Sequence, residues 1–299
     1  MSAFCVDNLS RAINNVLNDE DNPKNFKGIK INDLDDRGYK REIVTHYEMD
    51  KTKRNYAIIF NHENYDKNFL GPSSRRDGTD LDCRNLTDAL EGLSFDVHVC
   101  QDFTHSAIVE KLNEVAEMDH TQHNCLLIVV MTHGDLGILD AYDTRYDADT
   151  IWCNFTPNRC PTLAGKPKLF FIQACQGKEL DGGSPLVNRT GTDGSTFNYD
   201  SFHIGTDFLV AYATIAGFFA WRNDWGSWFI RIICDKLREH GTTDDILTIL
   251  TYVIQHVAIK LQTYNPEKPK LDEKKQLPCI ISKLTKLLKF YPKNESDQL

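Results

Sequence analysis

The amino-acid sequence predicts an α/β protein whose sheet is largely parallel and buried on both faces. Three observations predict it. Short apolar runs recur at Tyr56–Phe60, Cys125–Met131 and Lys168–Ile172. A strand with one wet face would alternate apolar and polar residues, whereas a strand covered on both faces reads as a continuous run. Between these runs the apolar residues shift to helical spacing, and strands alternating with helices favour parallel pairing. Finally, 299 residues with 41% hydrophobic and 26% charged content make an ordinary globular composition, long enough to bury a core without disulfide staples. One α/β domain with a tail fits this length as well as two domains do.

The elements follow in order along the chain. Residues 1–44 are polar and acidic, with Asp19-Glu20-Asp21 and Asp33–Asp36, and lack apolar periodicity; they are expected to form a mobile leader, too short for a separate helical module. Tyr56–Phe60 is the first strand, followed by a polar loop over 61–80. Leu86, Ala89, Leu90 and Leu93 fall at i, i+3, i+4 and i+7, an amphipathic helix. Phe95–Cys100 reads as a strand, and Ile108, Leu112, Val115 and Ala116 mark a second helix. Cys125–Met131 and Lys168–Ile172 are the next strands. The stretch 177–203 is rich in Gly, Ser, Thr, Asn and Asp and is expected to be an exposed, flexible linker. Phe208–Ala213 resumes as a strand and Trp228–Arg238 as a helix, with Gly241 suited to the position just past its end. Thr242, with Asp245 three residues on, resembles a capping box for a last helix carrying Ile246, Ile249, Leu250, Val253 and Val257 on one stripe. Leu277–Ser282 is the expected last strand. One sheet is thus assembled from two chain segments separated by a linker.

Charge and cysteine usage exclude several classes. Lys and Arg number 34 against 43 Asp and Glu, for a net charge of -9, which argues against a nucleic-acid partner. No run approaches the 18 or more apolar residues of a membrane span, and the start lacks the basic and apolar regions of a secretory signal. A soluble cytoplasmic protein is expected. The nine cysteines are irregularly spaced with no C-x-x-C, so neither a disulfide framework nor a redox pair is expected. His120-x-x-His123-x-Cys125 has ligand-type residues without a matching second pair, and a polar turn before a strand is preferred over a metal site. No metal or cofactor is expected.

Two strand ends carry the chemistry. One closes on Met131-Thr132-His133-Gly134, the other on Gln173-Ala174-Cys175-Gln176-Gly177. Functional groups in open parallel sheets gather at the carboxyl ends of strands. If these strands are neighbours, His133 and Cys175 face each other. A thiol needs a base to become the attacking thiolate, and an imidazole can also return a proton to a leaving amine. The glycines after both residues let backbone N–H groups approach an oxyanion.

The string Gln173–Gly177 matches the caspase nucleophile motif, with its histidine 42 residues upstream. The chain also resembles caspases around His133-Gly134, in Arg76-Asp77-Gly78-Thr79-Asp80, and in Trp221-Arg222-Asn223 followed by Gly226-Ser227-Trp228, all in family order over about residues 50–290. It is most similar to insect effector caspases. The resemblance implies a three-layer caspase-like fold with about six mostly parallel strands. It implies an intracellular cysteine endopeptidase that cleaves after aspartate, is made as a zymogen and executes apoptosis. Cys175 would be the nucleophile and His133 the acid and base, with Gly134 and Cys175 donating oxyanion-hole N–H groups. Arg76, Gln173 and Arg222 would take the substrate aspartate, apt because guanidinium groups make directed, charge-assisted bonds to carboxylate. Phe219, Ala220, Trp221, Asn223 and Trp228 would line the upstream subsites.

The resemblance further implies a large subunit 45–193, a small subunit 194–299 and a homodimer of processed pairs. Implied partners are an upstream initiator caspase and inhibitor-of-apoptosis-type proteins. Asp181, Asp193 and Asp200 each precede a small residue in the linker; Asp193 is preferred as the cut because it sits mid-linker. Asp36 is the expected cut in the leader. There are departures: Phe219 and Ala220 stand where the family commonly has a hydroxylated pair, and the turn Asn223–Gly226 is one residue short with an added Trp225. The alternative is a catalytically poor caspase-like protein that modulates partner proteases.

Overall fold

The computed structural model describes residues 45–71, 74–183, 205–223 and 225–292. The compact unit His46–Leu299 contains all of its elements. Eleven strands occur among the described residues: β1 Arg54–Asn61, β2 Phe95–Gln101, β3 His123–Met131, β4 Gly134–Asp135, β5 Ile138–Asp140, β6 Arg145–Asp147, β7 Lys168–Gln173, β8 Phe208–Tyr212, β9 Arg222–Asn223, β10 Gly226–Ser227 and β11 Cys279–Ser282. The helices are α1 Thr79–Glu91, α2 His105–Glu117, α3 Trp228–His240 and α4 Ile246–Gln255.

Six strands form one sheet in the order β11-β8-β7-β3-β1-β2. The pairs β2–β1, β1–β3, β3–β7 and β7–β8 are parallel, and β11 adds antiparallel at the edge. The apolar runs split by parity between two cores, because successive strand side chains point to opposite faces. Ala57, Ile59, Leu127, Val129, Leu169, Phe171, Leu209 and Ala211 pack with α1, α3 and α4. Tyr56, Ile58, Phe60, Leu126, Ile128, Val130, Phe170, Ile172 and Val210 pack with α2 and the segment 146–163. The continuous runs are therefore two interleaved alternations, each burying its own face. The expected three layers and six-stranded, mostly parallel sheet are present. Winding reverses between β1 and β3, so the crevice at their carboxyl ends is the switch point where such sheets bind ligands. Among the described residues, no helix is long and apolar enough to cross a membrane.

Several local expectations are corrected. The cap of α4 is Asp245, not Thr242: its carboxylate accepts from Leu247 N at 3.0 Å and Thr248 N at 3.3 Å. Gly241 is right-handed, with φ −57°; a Cβ there would collide with the Leu237 carbonyl and the Leu93 side chain, so close approach rather than a left-handed turn requires glycine. The small sheet β4-β5-β6 was not anticipated, since strands of two or three residues are too short to show a period. The first residues of the expected linker are held by hydrogen bonds: Glu179 pairs with Phe218, and Lys275 N donates to Asp181 O at 2.9 Å. The leader with Asp36, and Asp193 and Asp200 in the linker, lie outside the described residues.

His120 is fully buried. Its Nε2 donates to the Val115 carbonyl at 2.7 Å, and its Nδ1 meets His123 Nδ1 at 3.0 Å. With Nε2 carrying the proton, His120 Nδ1 is the acceptor, so the pair is satisfied internally.

Asp245→Ala should remove the only side-chain cap of α4 and cost about 1 kcal/mol. Thermal unfolding should show a Tm lower by roughly 2–4 °C. An unchanged Tm would mean that the cap is not coupled to global unfolding.

Candidate active site

The pairing of β3 with β7 ends at Met131↔Gln173, and His133 and Cys175 each lie two residues beyond that pair. Thr132 N donates to Gln173 O at 3.0 Å, so the ladder continues one step past the strands. The two strand ends touch: a Cβ on Gly134 would lie 3.3 Å from the Cys175 carbonyl oxygen and would collide with the Ile138 carbonyl. Glycine is required here because the backbone itself is in contact.

The His133 ring is oriented by a main-chain acceptor. Its Nε2 lies 2.7 Å from the Ser74 carbonyl oxygen. A carbonyl can only accept, so Nε2 carries the proton and Nδ1 keeps the lone pair. Burial is the main cause that pulls the imidazole down to about 4, with the positive charges of Arg76 and Arg222 adding to it against the Ser74 hydrogen bond.

Cys175 is partly exposed, and its sulfur faces the main chain of Ala220. Ala220 N donates to Sγ at 3.5 Å, and the thiol lies 3.9 Å from Ala220 O. Burial pushes the thiol up; the Ala220 N–H and the charges of Arg76 and Arg222 pull the other way. The chain after Cys175 is laced to 217–219. Gln176 N donates to Phe218 O at 3.0 Å, Glu179 N to Gly217 O at 2.9 Å, and Phe219 N to Glu179 O at 3.0 Å. Gly177 has φ +145°, and a Cβ on it would collide with the Gly217 backbone. Of the other cysteines, Cys83 and Cys100 are pushed to about 11 and Cys234 to about 12, in each case chiefly by burial. They behave as packed apolar side chains.

Two guanidinium groups approach this pair. Arg76, from the loop after β1, is only 1% exposed, and its Nη1 donates to His62 O, Thr79 Oγ1 and Met131 O at 2.7, 2.8 and 2.9 Å. Burying a charge costs several kcal/mol, which hydrogen bonds of about 1.5–3 kcal/mol each offset. The Thr79 hydroxyl itself donates to Asn61 Oδ1 at 2.6 Å. Arg222, on β9, is half-buried and pulled down to about 10, first by burial and then by the charge of Arg76. Neither guanidinium makes an ion pair among the described residues. The nearby Asp82 carboxylate is buried and accepts from Ser227 N at 2.8 Å. Burial raises it to about 6, partly offset by that bond and by Arg76 and Arg222. Gln173, 3% exposed at the end of β7, leaves its amide oxygen unpartnered. Two cations therefore act on the thiol and the imidazole, and neither is ion-paired among the described residues.

Three aromatic rings pack in series along the chain on either side of Arg222. Ring centroids of Phe219 and Trp221 lie 6.5 Å apart, and those of Trp221 and Trp228 6.3 Å apart. Trp221 is fixed by Gln276 Oε1, which accepts its N–H at 2.6 Å, and by the Lys275 carbonyl, which accepts its ring N–H at 3.1 Å. Trp228 begins α3 and is 7% exposed, so most of its ring belongs to the core. Asn223 is exposed, and its Oδ1 accepts from Trp225 N at 3.0 Å in a turn that leaves Trp225 72% exposed.

The structure thus brings His133, Gly134, Cys175 and Ala220 together, with Arg76, Arg222 and Gln173 alongside. Sequence reasoning missed Ser74, Tyr65, Asp82 and Gln276. Ser74 acts through its carbonyl, which no side-chain identity reveals. Asp82 shows a trace in sequence, as the second acidic residue in the first turn of α1. Among the described residues, no group of three or more His, Cys, Asp or Glu could hold a metal ion.

With the thiol pushed up and the imidazole pulled down, both groups of the free protein are neutral near pH 7. A thiol below its pKa gains about tenfold in thiolate per pH unit. Alkylation of Cys175 by iodoacetamide should therefore climb steadily from pH 6 through pH 9. A plateau already reached at pH 5–6 would contradict this and indicate a preformed thiolate–imidazolium pair.

A profile described as the caspase domain matches residues 54–289. "Caspase-1" of Spodoptera frugiperda is 48% identical over 246 residues, covering 82% of this chain and 81% of the relative. "Caspase drICE" of Drosophila melanogaster is 43% identical over 249 residues, covering 83% and 73%. The crystal structure of the Spodoptera frugiperda protein superposes with a TM-score of 0.76 at 44% identity, covering 85% of this chain and 96% of that one. The strand-end cysteine and histidine, the arginine pair and these likenesses agree, and the chain belongs to the caspase family, as a cysteine peptidase that cleaves proteins after aspartate in executing apoptosis.

Proposed function

We propose that Cys175 is the nucleophile of this peptidase, with His133 as its acid and base, and that Arg76, Arg222 and Gln173 bind the substrate aspartate. The observation that carries this reading is the pair of guanidinium groups beside the thiol, neither of them ion-paired among the described residues. The thiol proton passes to His133 Nδ1 as sulfur attacks the carbonyl carbon, and the carbonyl electrons move onto oxygen. The N–H groups of Gly134 and Cys175 receive that oxyanion. The imidazolium then protonates the leaving amine as the C–N bond breaks, and water, deprotonated by the same imidazole, hydrolyses the thioester. The charges that depress His133 are those a substrate carboxylate would neutralise. Aspartate in the pocket therefore makes the base stronger just where it is needed.

Phe219, Ala220, Trp221, Asn223 and Trp228 serve the upstream residues of the substrate. The chain acts as a cytoplasmic zymogen, cut after Asp193 into a large subunit 45–193 and a small subunit 194–299, with Asp36 cut in the leader. Support for Asp193 over Asp181 comes from the hydrogen bonds that hold Asp181: its carbonyl accepts from Lys275 N at 2.9 Å and its carboxylate from Gly183 N at 2.8 Å. An upstream initiator caspase makes the cut, inhibitor-of-apoptosis-type proteins restrain the product, and the processed pairs form a homodimer.

Arg222→Ala is the cleaner pocket variant, because Arg76 also ties β1 to β3. It should lower kcat/KM on an acidic tetrapeptide ending in Asp by about 30- to 4,000-fold, the equivalent of roughly 2–5 kcal/mol. An Asn-ending peptide should lose a comparable factor with the unaltered enzyme, and equal cleavage of Asp and Asn peptides would refute the pocket. Mass spectrometry of the mature enzyme should find a small subunit beginning at Gly194. Full maturation of an Asp193→Ala chain without another linker cut would overturn the processing scheme.

A further inference from the structure

Tyr65 lies in the polar loop after β1, and its side chain is buried against His133. Its hydroxyl oxygen is 3.0 Å from the His133 backbone nitrogen and 2.8 Å from Thr132 Oγ1. Thr132 Oγ1 is in turn 2.5 Å from the Asp140 carbonyl oxygen. The proton directions follow by elimination. The Asp140 carbonyl only accepts, so Thr132 spends its one proton there. Thr132 must then accept from Tyr65, and the Tyr65 oxygen is left to accept from the His133 N–H. Asp140 N closes the circuit by donating to His133 O at 3.0 Å.

The ring adds a second restraint. Its centroid lies 5.1 Å from that of the His133 imidazole, with 35° between the planes, and 6.1 Å from the buried His62 ring. Together with the Ser74 carbonyl on Nε2, this fixes both the backbone and the plane of His133, and hence where Nδ1 points. We propose that Tyr65 is a positioning residue for catalysis, holding the His133 imidazole through the relay His133 N–H, Tyr65 O–H, Thr132 O–H, Asp140 C=O and through its ring contact. The proposal rests on His133 being the acid and base. Tyr65 is an electrostatic neighbour of Arg76 and Arg222, but its hydroxyl bonds to Thr132 and His133; taking away that neutral hydroxyl leaves both cations in place, so the main effect falls on proton transfer and not on substrate affinity.

The test is steady-state kinetics of the processed enzyme on a fluorogenic acidic tetrapeptide ending in Asp, normalised by active-site titration. Tyr65→Phe keeps the ring and removes the hydroxyl. It should lower kcat on the order of tenfold, as small misplacements of a catalytic group do, with KM within about twofold. Thr132→Val, which takes away the acceptor of the Tyr65 proton, should lower kcat in the same way, and Thr132→Ser should restore it. The Thr132 pair decides the matter if Tyr65→Phe does not fold. Wild-type kcat in Tyr65→Phe, a rise in KM at unchanged kcat, or equal kcat in the Val and Ser variants would overturn the proposal. His133→Ala separates the two claims: if it retains turnover, the acid–base reading itself fails; if it is inactive while Tyr65→Phe is unimpaired, only the role of Tyr65 fails.

Discussion

The parallel pairing of β3 with β7 is the constraint on which the site depends. Register in a sheet is quantised, and a slip of one residue would turn every side chain to the other face. Here the interleaved alternations bury one parity against α1, α3 and α4 and the other against α2, so both faces oppose a slip. The locked pair Met131↔Gln173 then delivers His133 and Cys175 at equal distances beyond the last rung. Gly134 allows the two strand ends to touch, and Gly177 allows the chain after Cys175 to cross Gly217. The catalytic distance is thus set by core packing more than by any bond within the site.

Electrostatics forms the second layer. Arg76 and Arg222 repel each other and are both pulled below their ordinary values by burial. Backbone and hydroxyl oxygens hold Arg76 in place without cancelling its charge. Asp82 sits close but is occupied with Ser227 N, and burial raises its carboxyl toward neutrality. The pocket therefore keeps a net attraction for an incoming carboxylate. Burial above all, with the same two charges adding to it, keeps His133 neutral and a weak base in the free protein.

Much of this was legible because the informative residues sit where the pattern changes. The run Cys125–Met131 stops at Thr132-His133-Gly134, and the run ending at Ile172 stops at Gln173-Ala174-Cys175. A cysteine and a histidine directly after doubly buried strands stand out against the apolar background. The long strands and the helices were equally plain, since each pattern persists over a full element. What stayed hidden acts through the backbone or through short-range geometry. Ser74 contributes a carbonyl, and Tyr65 looks like one more aromatic in a polar loop until its hydroxyl is seen against His133 N. Thr242 and Asp245 are both good capping residues, and only the path of the chain chooses between them. Gly241 is needed for the approach of Leu93 rather than for its dihedral angles.

The most direct test of the account is turnover by Cys175→Ala on an acidic tetrapeptide ending in Asp. The change from thiol to methyl is nearly isosteric, so the fold and the arginine pocket should persist while the nucleophile is lost. The account predicts a normal unfolding transition and a fall in kcat of at least about a thousandfold. A folded Cys175→Ala protein with kcat within about tenfold of the unaltered enzyme would contradict it.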